Sequence, residues 1–84
     1  MKVRLKLYAM LSDHLPTEAR KSNAVELELE PGTTIAQVIA QWNLPLKSCH
    51  LVLVDGVFIP PDTRGERALA EGETLAIWPP IAGG

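Results

Sequence analysis

Apolar and polar positions alternate strictly from the second residue onward. Val3, Leu5 and Leu7 share one face of an extended segment, and Lys2, Arg4 and Lys6 share the other. The alternation predicts a half-buried strand over 2–8. Residues 25–30 repeat the pattern with the opposite charge: Val25, Leu27 and Leu29 face inward, and Glu26, Glu28 and Glu30 face outward. Pairing these segments antiparallel sets basic residues opposite acidic ones, worth roughly 0.2–1 kcal/mol per pair. The period then changes. Ile35, Val38, Ile39 and Trp42 follow the i, i+3, i+4, i+7 spacing of an amphipathic helix. Thr34 and Gln37 form a capping-box pattern at its start, and Asn43 and Pro45 close it.

Beyond the helix, Leu51-Val52-Leu53-Val54 reads as a short strand closed by the turn signal Asp55-Gly56. Val57-Phe58-Ile59 reads as a brief strand cut off by Pro60-Pro61. Gly65 and Gly72 mark turns around Leu69, and Thr74–Trp78 is a last strand stopped by Pro79-Pro80. The stretch 10–23 carries no clear period beyond room for a helical turn near Asp13–Leu15. One well-supported helix with one apolar face must cover a sheet. The expected fold is α+β: a mixed sheet of four to five strands with the helix on one face, the β-grasp arrangement of ubiquitin. The right-handed crossover preference favours Leu51–Val54 lying parallel to a neighbouring strand. Residues 1–78 form the expected domain and 79–84 an extended tail.

Composition narrows the function classes. At 84 residues there is a thin core and no room for a large enclosed active site. A net charge of −2 argues against a binder of nucleic-acid phosphates. A single cysteine, Cys49, excludes an internal disulfide and suits a reducing, cytoplasmic setting. The charged amino terminus is unlike a signal peptide, and no apolar run is long enough to span a bilayer.

Candidate chemistry concentrates at the carboxyl end, Pro79-Pro80-Ile81-Ala82-Gly83-Gly84. Two prolines cannot continue a strand ladder, and they stiffen the start of the tail. Glycine has no Cβ, so Gly83 and Gly84 fit a narrow channel. A terminal carboxylate on Gly84 is ionised at neutral pH and a poor electrophile. Receiving sulfur or an amine therefore requires prior activation, as by adenylation. A second constellation is the sheet face opposite the helix. With Val52, Val54, Leu75 and Ile77 inward, Leu51, Leu53, Ala76 and Trp78 turn outward beside Arg4 and Lys6, and Phe58 extends the patch. Outward apolar patches of this kind mark interfaces.

Other groupings are weaker. Cys49 and His50 are strand neighbours and point to opposite faces. Ser12-Asp13-His14 has triad residue types without triad geometry. One cysteine and two separated histidines make no structural zinc site, so no metal is expected. Arg64 and Arg67 read as solvated loop residues that an acidic partner could meet.

The ending Trp78-Pro79-Pro80-Ile81-Ala82-Gly83-Gly84 resembles the carboxyl terminus of the molybdopterin synthase small subunit, a ubiquitin-like sulfur carrier. The opening VRLKLYAMLSDHLP, the junction ELEPGTTIAQVI and the turn Leu69–Leu75 resemble the same family. The thiamine-pathway sulfur carrier shares the fold and the Gly-Gly end. The resemblance implies that Gly84 is adenylated by an enzyme of the ubiquitin-activating (E1-like) type using ATP and magnesium, then converted to a thiocarboxylate. It implies sulfur donation in molybdenum cofactor biosynthesis, with a molybdopterin synthase large subunit as partner. Pro79, Pro80, Ile81, Ala82 and Gly83 would be the inserted tail. The chain itself would be a carrier, not an enzyme. Thiazole synthesis for thiamine, thiolation of transfer RNA or another metabolite, and isopeptide modification of proteins are the alternatives.

Overall fold

A computed structural model describes residues 1–80. Its strands are β1 (Lys2–Leu7), β2 (Ala24–Glu28), β3 (Leu51–Val54), β4 (Val57–Phe58) and β5 (Thr74–Trp78), with one α-helix, α1 (Ile35–Gln41). The five strands form a single mixed sheet in the order β2-β1-β5-β3-β4. The two ends of the described chain thus lie side by side at its centre, where β1 and β5 pair in parallel.

The first hairpin is antiparallel with opposite charges facing each other at two of its positions. Lys2 lies opposite Glu28 and Arg4 opposite Glu26, while Lys6 meets Ala24. The close contact to Glu28 comes from the amino terminus of Met1, at 3.2 Å. β2 stops at Glu28, but Leu29 still donates to the Met1 carbonyl and is buried.

β3 departs from expectation. It is antiparallel to both of its neighbours, β5 and β4. It runs in the same direction as β2, but β1 and β5 stand between them. The helical crossover therefore spans the sheet rather than joining adjacent strands. The only parallel neighbours among the described strands are β1 and β5, brought together from opposite ends of the sequence.

α1 begins and ends on signals present in its sequence. The Thr34 hydroxyl accepts the Gln37 N–H, and the Gln37 side chain accepts the Thr34 N–H. At the other end Asn43 takes a positive φ of 55°, and the Leu44 and Asn43 amides bond back to the Ile39 and Ala40 carbonyls. This is a Schellman ending, with asparagine in the left-handed conformation usually given to glycine. Ile35, Val38 and Ile39 are buried against Val3, Leu5, Leu7, Val52, Leu75 and Ile77. Fully burying each such side chain contributes about 1.5–3 kcal/mol.

Asp55 and Gly56 both have positive φ, the requirement of the tight turn joining β3 to β4. The stretch 9–23 forms two 3-10 turns, Ala9–His14 and Thr17–Ala19. They place Leu11 and Leu15 in the main core, so this segment plugs the core rather than shielding the sheet's outer face.

Candidate functional site

β5 runs at the centre of the sheet into Pro79 and Pro80. Leu75 and Ile77 are fully buried beneath the helix, and Ala76 and Trp78 point the other way. Pro79 is half-buried and Pro80 exposed. The remaining tail positions Ile81, Ala82, Gly83 and Gly84 lie outside the described residues.

The outer face gathers the predicted interface residues. Cα register sets Lys6, Ala76, Leu53 and Phe58 in one row across β1, β5, β3 and β4. Leu51 stands opposite Trp78, and Arg4 lies between Glu26 and Thr74. Phe58 is 48% exposed and Leu51 37%, while Trp78 and Leu53 are half-buried. Ala76 differs from the rest: it is only 7% exposed, because its single methyl lies between the longer side chains of Lys6 and Leu53. It forms the floor of the patch rather than its contact surface.

One residue of this face escaped the sequence reading. Tyr8 stacks on Trp78, with ring centroids 4.2 Å apart and planes within 1°. The stack steadies the indole beside the exit of the tail. The signal was available, because the alternation that turns Lys2, Arg4 and Lys6 outward continues to Tyr8.

The two loop arginines differ in exposure. Arg64 is 8% exposed, and its guanidinium donates to the Cys49 carbonyl at 2.9 Å, the Ile59 carbonyl at 3.1 Å and the His50 carbonyl at 3.4 Å. Burial lowers its pKa from the ordinary arginine value, opposed by the neighbouring Cys49. Arg67 forms a two-pronged pair with Glu73, at 2.7 Å and 3.3 Å, and Glu73 also accepts the Ala70 N–H at 2.7 Å. Arg64 is enclosed and not open to an acidic partner, whereas the Arg67 side chain is 35% exposed and already paired with Glu73.

The Arg67 hydrogen bond is the main reason the Glu73 carboxyl titrates below the usual glutamate range. Its folded pKa lies below the unfolded one. Its contribution to stability is therefore complete above the ordinary glutamate range and lost as pH falls through the folded value. Glu73→Gln should flatten the acid limb of a stability-against-pH curve measured by urea denaturation. An unchanged acid limb would show that the pair contributes nothing to it.

Cys49 is buried, its thiol lies 3.4 Å from the Pro45 carbonyl, and burial pushes its pKa up. A protonated, enclosed thiol is a poor nucleophile. His50 is exposed, so the adjacent pair makes no dyad. His14 is exposed at the end of a 3-10 turn, and the Ser12 hydroxyl bonds the Ala9 carbonyl instead. Among the described residues no three metal-ligating side chains converge, and no helix is long and apolar enough to cross a membrane. A surface depression lined by residues from Glu30–Thr33 and by Gln37, Ala40 and Gln41 includes no residue of the outer face or of β5.

Solved structures share this architecture. SAMP1 from Haloferax volcanii aligns over the full length of both chains with a TM-score of 0.68 and 21% identity. A second Haloferax volcanii protein, solved in solution, aligns over all of this chain and 87% of its own with a TM-score of 0.72 and 19% identity. A chain from the complex of subunits 1 and 2 of the molybdopterin-converting factor of Helicobacter pylori aligns over both full lengths at 0.60 and 12% identity. At these identities the likeness establishes the ubiquitin-like β-grasp fold. No curated protein sequence matches significantly. The sequence pattern of the ThiS family, however, matches residues 14–84 and so takes in the tail. A five-stranded β-grasp sheet whose central strand leads into Pro-Pro-Ile-Ala-Gly-Gly, together with that match over most of its length, means that the chain belongs to the ThiS family.

Proposed function

We propose that the chain carries sulfur as a thiocarboxylate on Gly84 and donates it in molybdopterin synthesis. The observation that supports this most is the continuity of β5 with the tail. A fully paired central strand ends at Trp78, and it is followed in the sequence by Pro79 and Pro80, which cannot continue a ladder, and then by Ile81, Ala82, Gly83 and Gly84.

The chemistry follows from the carboxylate. An oxygen of the Gly84 carboxylate attacks the α-phosphorus of ATP held by an E1-like partner, and magnesium-bound pyrophosphate departs. Sulfide then attacks the acyl carbon, a C–S bond replaces the bond to the adenylate oxygen, and AMP leaves with a thiocarboxylate remaining on Gly84. ATP and magnesium are the partner's to bind, and this chain supplies the carboxylate. The sulfur acceptor would be the molybdopterin synthase large subunit, held against the outer face. A pathway that consumes ATP and keeps its sulfur reduced suits the cytoplasm.

Incubation with an E1-like adenylating enzyme, ATP, magnesium and a sulfide source should add about 16 Da, the replacement of one oxygen by sulfur, as nucleophilic acyl chemistry requires. An unchanged intact mass would refute the carrier reading. A second reading is conjugation to lysines, favoured by the likeness to the small archaeal modifier protein 1 of Haloferax volcanii. Lysine-linked adducts in the same mass spectra, without a thiocarboxylate, would replace the first reading with the second.

The outer face carries its own expectation. Leu51→Asp puts a charge at an exposed apolar position of the proposed contact and should weaken partner binding by about tenfold, the loss of a moderate interface contact. Titration calorimetry against the sulfur-accepting partner measures it. Equal affinity would remove Leu51 from the interface.

A further inference from the structure

We propose that Arg64 is a positioning residue for the tail: through the Cys49–His50 peptide it fixes the Trp78 carbonyl, and with it the direction in which the chain leaves β5. The inference rests on the carrier reading above and names a residue on which that reading would depend.

The peptide bond between Trp78 and Pro79 is unusual in having only one hydrogen-bonding group. Proline supplies no N–H, so the Trp78 carbonyl is the sole polar handle on the unit from which the tail departs. That carbonyl accepts the His50 N–H at 3.1 Å. The His50 N–H belongs to the same planar unit as the Cys49 carbonyl, and in a trans peptide the two point in opposite directions. The Cys49 carbonyl is held by Arg64 at 2.9 Å. A continuous chain of hydrogen bonds therefore runs from the guanidinium through one rigid plane to the root of the tail.

Polarisation along such a chain strengthens each member. A cation donating to the Cys49 carbonyl makes the His50 N–H a better donor toward Trp78. The guanidinium is itself immobilised. It also donates to the Ile59 carbonyl just beyond β4, and the Arg64 carbonyl accepts the Ala36 N–H in the first turn of α1. Arg64 thus ties the helix, the β3–β4 hairpin and the root of the tail into one frame. Lysine cannot reproduce the arrangement, because a point-like ammonium lacks the planar fork that reaches carbonyls on separate segments.

A misdirected tail on an intact docking face has a kinetic signature. Binding through the face is unchanged, while the fraction of bound molecules presenting Gly84 correctly falls. Arg64→Lys should therefore lower kcat for adenylation, read as pyrophosphate release by an E1-like enzyme with ATP and magnesium, by about tenfold. KM should stay within about twofold, in contrast to a variant of the face itself. Val54→Ala, a core control, is assayed beside it at a temperature where both variants are folded. Wild-type kcat in Arg64→Lys, or an equal loss in the core control, overturns the proposal.

A second measurement does not depend on the reaction. The through-hydrogen-bond coupling between the His50 amide nitrogen and the Trp78 carbonyl carbon should be present in the unsubstituted protein and lost or weakened in Arg64→Lys. Its absence from the unsubstituted protein, or its persistence at full size in the variant, overturns the link even if Arg64→Lys proves too unstable to assay. If the unsubstituted protein releases no pyrophosphate at all, the carrier reading fails, and the coupling alone decides whether Arg64 holds the Trp78 carbonyl.

Discussion

Deletion of Gly84 should abolish thiocarboxylate formation and leave the unfolding temperature unchanged. The carboxylate must reach a nucleotide held by another protein while the outer face is docked on that protein. Removing one residue shortens the greatest reach of any chain by about 3.3–3.6 Å. Reacting atoms must approach to about 3–3.5 Å, and a misplacement of about 1 Å can cost on the order of 100-fold in rate. A full-residue deficit exceeds that tolerance. The rate of the intact-mass increase in the presence of adenylating enzyme measures the effect, and circular dichroism on heating checks the fold. A truncated protein that gains sulfur at a comparable rate would mean that the reaction does not require the carboxylate to stand at residue 84.

Arg64→Met should be the most destabilising exchange of a charged residue in the chain, costing about 3 kcal/mol. Methionine occupies similar volume and leaves behind three carbonyls, those of Cys49, His50 and Ile59, that now accept from Arg64. Hydrogen bonds from a charged donor are worth about 1.5–3 kcal/mol, and each buried acceptor left empty costs about 1–3 kcal/mol. Partial access of water to the carbonyls keeps the total near the lower end of the sum. A domain of this size has about 5–10 kcal/mol in all, so the loss is visible in any urea titration. Arg67→Met provides the contrast. Its side chain is 35% exposed and its main partner, Glu73, can turn to solvent, so about 1 kcal/mol or less is expected. Equal effects at the two positions would contradict the burial difference on which this rests.

Much of the fold is legible in local pattern. The alternation of β1 and β2 gives the inward face and the sign of the charges that meet across the hairpin, while registers two residues apart satisfy the pattern equally and only the structure sets Lys6 opposite Ala24. Thr34, Gln37 and Asn43 mark the helix ends because capping satisfies amides and carbonyls within a few residues. Asp55-Gly56 specifies its turn through positive φ. The facing of Leu51, Leu53 and Trp78 comes from the same two-residue period. Tyr8 extends it by one step.

The features that stayed hidden have their partners far away in sequence. The pairing of β1 with β5 joins residues some seventy positions apart, and the crossover preference alone suggested a parallel neighbour for β3, where the structure has antiparallel ones. The burial of Leu11 and Leu15 leaves no periodic trace, because two short 3-10 turns repeat no face. The case of Arg64 and Arg67 is the sharpest. Both lie in a polar stretch and read alike, yet one is enclosed and the other is half-open. Arg64 is held by main-chain carbonyls, which any residue supplies, so no side-chain motif announces it.

Strand faces, helix limits and the Pro-Pro-Ile-Ala-Gly-Gly ending are written in the chain locally, since each depends on neighbours within a few residues. The central place of β5, the position of Ala76 at the floor of the outer patch and the reach of a buried guanidinium through one peptide to the root of the tail are not. They depend on contacts between distant segments, and such contacts form only when the sheet closes around its core.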